Sequence, residues 1–164
     1  LADSFSRMEK TLLIDVDLRQ PKIGEMFDID ANLPGLTSFL GNKSSFSKCI
    51  HAVHSSPLIL MPSGPLPPDP LAYISKPRFA AFLHKLRGYY ERVVIETPPI
   101  NTVSDAIAVG KFVDGVIIVC DAEKNEGADL LLALQRVHEA ELPLLGVVFN
   151  RVKDLRSNMV EAHK

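Results

Sequence analysis

The chain predicts an α/β fold, a doubly wound, mostly parallel sheet flanked by helices, and three observations carry that reading. Five short apolar runs rich in β-branched residues recur along the 164 residues. None of the five alternates apolar with polar, which suits strands buried on both faces rather than strands with one wet face. Between them lie longer segments whose apolar residues recur at helical spacing.

In chain order, the strand candidates are residues 11–17 (TLLIDVD), 57–61 (PLILM), 92–96 (RVVIE), 115–120 (GVIIVC) and 144–150 (LLGVVFN). The first helical trace is residues 1–8, where Leu1, Phe5 and Met8 fall on one face. Residues 77–90 place Phe79, Phe82, Leu83 and Leu86 on one helical stripe. Residues 126–141 do the same with Leu130, Leu131, Leu134 and Val137. The proline-dense stretch from Pro62 to Pro70 reads as a loop, because proline fixes φ and removes a backbone donor. It follows a strand, so it belongs on the carboxyl edge where open α/β sheets bind ligands, or it is a plain connector.

Length and composition suit one soluble-type domain over residues 1–164, with 46% hydrophobic and 23% charged residues. A net charge of −2 without a basic tract argues against nucleic acid as a partner. Two cysteines, Cys49 and Cys120, make no disulfide framework, and Cys120 inside an apolar run reads as a core residue. No apolar stretch reaches the ~18–20 residues of a membrane-spanning helix. The N-terminal residues lack the basic start and apolar middle of a signal peptide, and also a starting Met, so the chain reads as a piece of a longer protein.

Two strand ends concentrate acids. In residues 12–21 (LLIDVDLRQP), Asp15 and Asp17 are two apart and would share a face as the strand ends. Adjacent carboxylates repel unless a cation or a proton intervenes, and Mg²⁺ beside phosphate is the natural cation. The alternative is that Asp15 caps the next helix or pairs with Arg19; the preceding strand and the following Leu-Arg-x-Pro favour the metal. In residues 92–99 (RVVIETPP) a strand delivers Glu96 at its carboxyl end, followed by Thr97-Pro98-Pro99. Such an acid is where nucleotide-hydrolysing folds hold a Mg²⁺–water cluster. Asn150 ends the last strand; asparagine there is commonly a turn residue, and its amide is also suited to hydrogen bonding a base.

Four blocks together resemble the kinase domain of bacterial polysaccharide-assembly tyrosine autokinases. DVDLRQP resembles their second nucleotide motif, Walker A′, and VVIETPP resembles Walker B. MPSGPLPPDPLAYISKPRF resembles their loop-plus-helix segment, and LLGVVFNRV their closing strand. The blocks run in family order from Thr11 to Val152. The resemblance implies a P-loop NTPase-like, Rossmann-like fold that uses ATP and Mg²⁺. It implies that Asp15 and Glu96 bind the metal and that Asp17 acts on the incoming tyrosine hydroxyl or the metal waters. It also implies that Arg19 supports the active-site loop and that Asn150 and Arg151 lie near the adenine. The family's members transfer the ATP γ-phosphate to tyrosines, mostly on a neighbouring subunit, and regulate capsule or exopolysaccharide polymerisation. They work as homo-oligomers at the cytoplasmic face of the inner membrane, joined or bound to a membrane chain-length-determinant protein.

Three departures qualify the match. No Gly-x-x-x-x-Gly-Lys-Ser/Thr loop occurs; residues 35–44 (GLTSFLGNKS) come near but have one residue too many between the glycines and an Asn before the lysine. The expected position of that loop is upstream, with residues 1–8 as the last turns of the helix that follows it. Glu96 stands where the family usually has Asp, which moves the carboxylate outward by roughly 1.5 Å. The tyrosines are Tyr73, Tyr89 and Tyr90, all in expected helices rather than a free tail. His51 and His54 share a face if helical, but without a third ligand they make no zinc site. Two rivals to the autokinase stand: a catalytically degenerate regulatory domain of the polysaccharide machinery, and a partitioning-type ATPase switch, against which the proline-rich block argues.

Overall fold

The computed structural model describes residues 1–152. In order the elements are α1 (Ala2–Ser6), β1 (Thr11–Asp15), α2 (Ile23–Met26), α3 (Leu36–Leu40), α4 (Phe46–Cys49), β2 (His51–Ala52) and β3 (Ile59–Met61). They continue with α5 (Pro70–Ile74), α6 (Pro77–Leu86), β4 (Arg92–Glu96), α7 (Asp105–Gly110), β5 (Val116–Asp121), α8 (Gly127–Glu139) and β6 (Leu144–Asn150). The chain divides into two compact units, the first over Leu1–Phe112 and the second from Val113 onward.

The first unit is built on a four-stranded sheet of order β2-β3-β1-β4. β1 pairs in parallel with β3 and with β4, and the short β2 pairs antiparallel with β3. All five residues of β1 are buried, which is why its run shows no polar alternation. Leu13, Leu58, Leu60 and Ala2 form a core cluster, with Ile23, Phe27 and Val94 packed against it. The predicted stripe of α6 is the buried one: Phe79, Phe82, Leu83 and Leu86 all face inward. Pro77 occupies its first turn, where the missing N–H would have had no helical partner.

The second unit pairs β5 and β6 in parallel, with a register shift between Val116 and Ile117. Glu126 and Asp129 form a reciprocal capping box that starts α8. Cys120 is buried, as its apolar surroundings suggest.

The structure corrects several local readings. The buried face of α1 is Ala2 and Ser6; Leu1 and Met8 are exposed, because small residues let the helix lie close against β1. In α8 the inward residues include Ala133 and Val137, whereas Leu131 points to solvent. His51 and His54 do not share a helical face, since His51 lies in β2 and its Nε2 is 3.1 Å from the Pro34 carbonyl oxygen. β1 ends at Asp15, so Asp17 lies in the following loop rather than on the strand. α6 ends at Leu86, leaving Tyr89 exposed and Tyr90 buried in the turn before β4.

The proline-rich stretch is a clasped loop. The Pro62 and Ser63 carbonyls accept the Leu36 and Thr37 amides, and the Thr37 hydroxyl donates to the Ser63 and Pro65 carbonyls. Gly64 has φ +73°, and a Cβ on Gly35 would come within 2.2 Å of the Pro62 carbonyl oxygen. Two glycines are therefore required where the start of α3 meets this loop.

Candidate functional site

Parallel pairing sets the acids side by side. Asp15 and Glu96 are register partners at the carboxyl ends of β1 and β4. Asp15 is fully buried; its Oδ1 accepts the Asp17 amide at 3.0 Å and its Oδ2 accepts the Ile23 amide at 3.2 Å. Its carboxyl group also meets that of Glu96, a contact that holds only with a proton or a cation between them. Burial pushes Asp15 up to about 6 despite the two amides, which favour its ionised form. Burial pushes Glu96 up to about 8, with the charges of Asp15 and then Asp17 adding to the effect. Glu96 Oε2 is buried and has no hydrogen-bond partner.

Asp17 closes the loop. Its Oδ1 accepts the Arg19 amide at 3.0 Å and the Gln20 amide at 2.9 Å, and its own amide is committed to Asp15. Arg19 is pinned from the other side, where its Nε and Nη2 donate to Asp105 Oδ2 and Oδ1 at 2.9 and 3.1 Å. Asp105 is fully buried. Sequence reading passed over this residue, although an acid opening a helix just beyond Glu96-Thr-Pro-Pro was a visible signal.

The site fits a hard divalent cation. It presents an orphaned carboxylate oxygen and two carboxyl groups short of positive charge. Mg²⁺ takes one or two carboxylates and completes its shell with water and phosphate oxygens. Among the described residues no cluster of three or more His, Cys, Asp or Glu side chains is placed to hold a metal ion by itself.

In the second unit, Asn150 ends β6 opposite Asp121 of β5. The Asn150 side chain is exposed and its Oδ1 accepts the Arg151 amide at 3.0 Å. Arg151, with φ +58°, turns its guanidinium onto Asp121 Oδ2 at 3.0 Å. Asp121 is a third strand-ending acid, after Asp15 and Glu96, and sequence reading left it aside.

Scanned against models of known protein families, the chain matches none. Comparison with individual proteins is more informative. The chain is 34% identical to the tyrosine-protein kinase YwqD of Bacillus subtilis over 88% of its length and 61% of that protein's. It is 31% identical to the tyrosine-protein kinase CpsD of Streptococcus pneumoniae, over 93% of this chain and 67% of that one. The VpsO kinase domain superposes with a TM-score of 0.89 at 36% identity, over 93% of this chain and 75% of that one. The septum site-determining protein MinD of Pyrococcus horikoshii, complexed with Mg-ADP, shares the fold at 18% identity and a TM-score of 0.70. The chain spans about three fifths of the length of several curated relatives. With the aligned strands, the acid pair at their ends and these identities in agreement, the chain belongs to the family of bacterial tyrosine-protein kinases.

Proposed function

We propose that this chain is the acid-bearing part of an ATP-dependent protein-tyrosine autokinase that regulates capsule or exopolysaccharide assembly. The observation that carries the reading is the buried Asp15–Glu96 pair, with its unpartnered Glu96 Oε2, at the carboxyl edge of a parallel sheet. Asp15 and Glu96 hold Mg²⁺, which when bound offsets the charge of the ATP phosphates. Asp17, beside them and partly open to solvent, accepts the proton of the incoming tyrosine hydroxyl. The phenolic oxygen then bonds to the γ-phosphorus as the bond to the β,γ-bridging oxygen breaks, leaving ADP. Arg19 supports the loop that carries Asp17. Among the described residues no helix is long and apolar enough to cross a membrane. The proposed setting is the cytoplasmic face of the inner membrane, as a homo-oligomer bound to a membrane chain-length-determinant protein.

Phosphoryl transfer depends chiefly on positioning and charge stabilisation, and losing one preorganised donor costs about 2.7–4 kcal/mol. No Gly-x-x-x-x-Gly-Lys-Ser/Thr cradle occurs in these 164 residues. The test is therefore a calorimetric Mg-ATP titration of this chain against the full-length protein, with and without Asp15→Ala in the latter. Phosphate transfer to a tyrosine peptide is followed in parallel. Tight binding and transfer by the full-length protein alone, lost on Asp15→Ala, is the expected result. Equal affinity in both chains would overturn the upstream-cradle reading. Binding without any tyrosine labelling would favour the regulatory rival.

A further inference from the structure

Arg19 is a junction between loops. It lies in the loop after β1 and reaches across to Asp105, which opens α7 at the end of the loop after β4. Asp17 and Asp69 also act on its charge, and Asp69 caps α5 at the end of the proline-rich loop after β3. Acids from all three loops that follow the parallel strands thus act on one guanidinium, with Asp105 bonded to it directly. Arg19 is also one of the two residues whose amides hold the Asp17 carboxylate. Its backbone places Asp17 while its side chain is anchored elsewhere.

Both carboxylate oxygens of Asp105, in the first turn of α7, accept from the Arg19 guanidinium in a two-pronged contact. The pair joins a buried Asp105 to an Arg19 side chain that is 40% exposed, so screening and desolvation make it a weak source of net stability. What a planar guanidinium held by two parallel bonds does supply is fixed direction.

We propose that Asp105 is a positioning residue: through Arg19 it sets the loop that carries Asp17 beside the Asp15–Glu96 pair. Its meaning for catalysis rests on the kinase reading above, while the geometric claim stands apart from it. Asp105→Asn preserves volume and removes the charge, so the loop should lose its anchor while β1 keeps its ladder.

The experiment uses the full-length protein and two readouts. In Asp105→Asn, hydrogen exchange at the Arg19 and Gln20 amides should quicken by about tenfold or more, while the β1 amides of Leu12 to Ile14 stay protected. In the same variant kcat should fall about tenfold or more, with KM for ATP within about threefold, since a misplaced group costs transition-state alignment rather than ground-state binding. Arg19→Lys keeps the charge but not the fork, folds more readily, and should give intermediate values. The double variant should be no worse than Asp105→Asn alone, because both act through one contact. Unchanged exchange at Arg19 and Gln20 would overturn the proposal, and so would equal loss at the β1 amides, which marks a purely global effect. If the wild-type protein transfers no phosphate, the kinase reading fails and the exchange comparison alone decides this one.

Discussion

Glu96 and Asp15 bring two carboxyl groups together where burial already disfavours charge, and the consequence is a stability that depends on pH and on divalent metal. Glu96 is pushed from 4.5 to about 8 and Asp15 from 3.8 to about 6. An unfolded chain releases these protons near the lower values, whereas the folded chain keeps them to the higher ones. Stability contributed by the protonated pair is thus present at low pH and is lost as pH rises through that window. Without divalent cations the unfolding temperature should fall between about pH 5 and about pH 8, and Glu96→Gln should flatten that slope. Millimolar Mg²⁺ should raise the unfolding temperature at the upper end and do little at the lower, where protons hold the site. Differential scanning calorimetry reads both effects; an unchanged slope in Glu96→Gln would exclude this pair as the source.

Two contacts between elements carry predictions of their own. The start of α3 meets the proline-rich loop backbone to backbone, so a methyl group on Gly35 strikes the Pro62 carbonyl oxygen and the Gly64 amide rather than a side chain that could turn away. Gly35→Ala should destabilise by about 3 kcal/mol or more, at the upper end of overpacking costs. A loss below about 1 kcal/mol in urea denaturation would mean that the loop yields instead. The helices offer a contrast in burial: Phe79 of α6 is fully buried and Leu131 of α8 is 69% exposed. Phe79→Ala should cost about 3–5 kcal/mol, whereas Leu131→Ala should stay within about 0.5 kcal/mol. The helical period alone places both residues inward. Burial separates them, because a 3.6-residue period marks a stripe without marking its edges.

At the scale of the molecule, the β5–β6 pair leaves Ile117, Val119 and Val148 exposed on one face. A contiguous apolar patch on a sheet promotes association. The 164-residue chain should therefore self-associate with rising concentration in light scattering. Val119→Lys combined with Val148→Glu should suppress this without changing the far-ultraviolet circular dichroism. Persistent association in the double variant would place the contact elsewhere.

Local chemistry was enough to write most of this fold into the sequence. Continuous apolar runs at residues 11–15, 92–96 and 144–150 are strands, as their shortness indicates; burial on both faces holds for 11–15, whereas 92–96 is only partly buried and 144–150 is largely exposed. The same runs, read with the residues that end and follow them, carried the family resemblance and marked Asp15, Asp17, Arg19 and Glu96 as candidates. Partners distant in the chain were another matter. Asp15 faces Glu96 only because the register of β1 on β4 aligns residues 81 positions apart. Arg19 finds Asp105 at a separation of 86. The clasp between Gly35 and Gly64, and the choice of Ala2 and Ser6 as the buried face of α1, likewise depend on what each segment meets. Periodicity and strand-end chemistry reside in contiguous residues, so they can be read from one segment at a time. Which two groups share a proton, a cation or a guanidinium is decided by sheet register and packing, which no single segment contains.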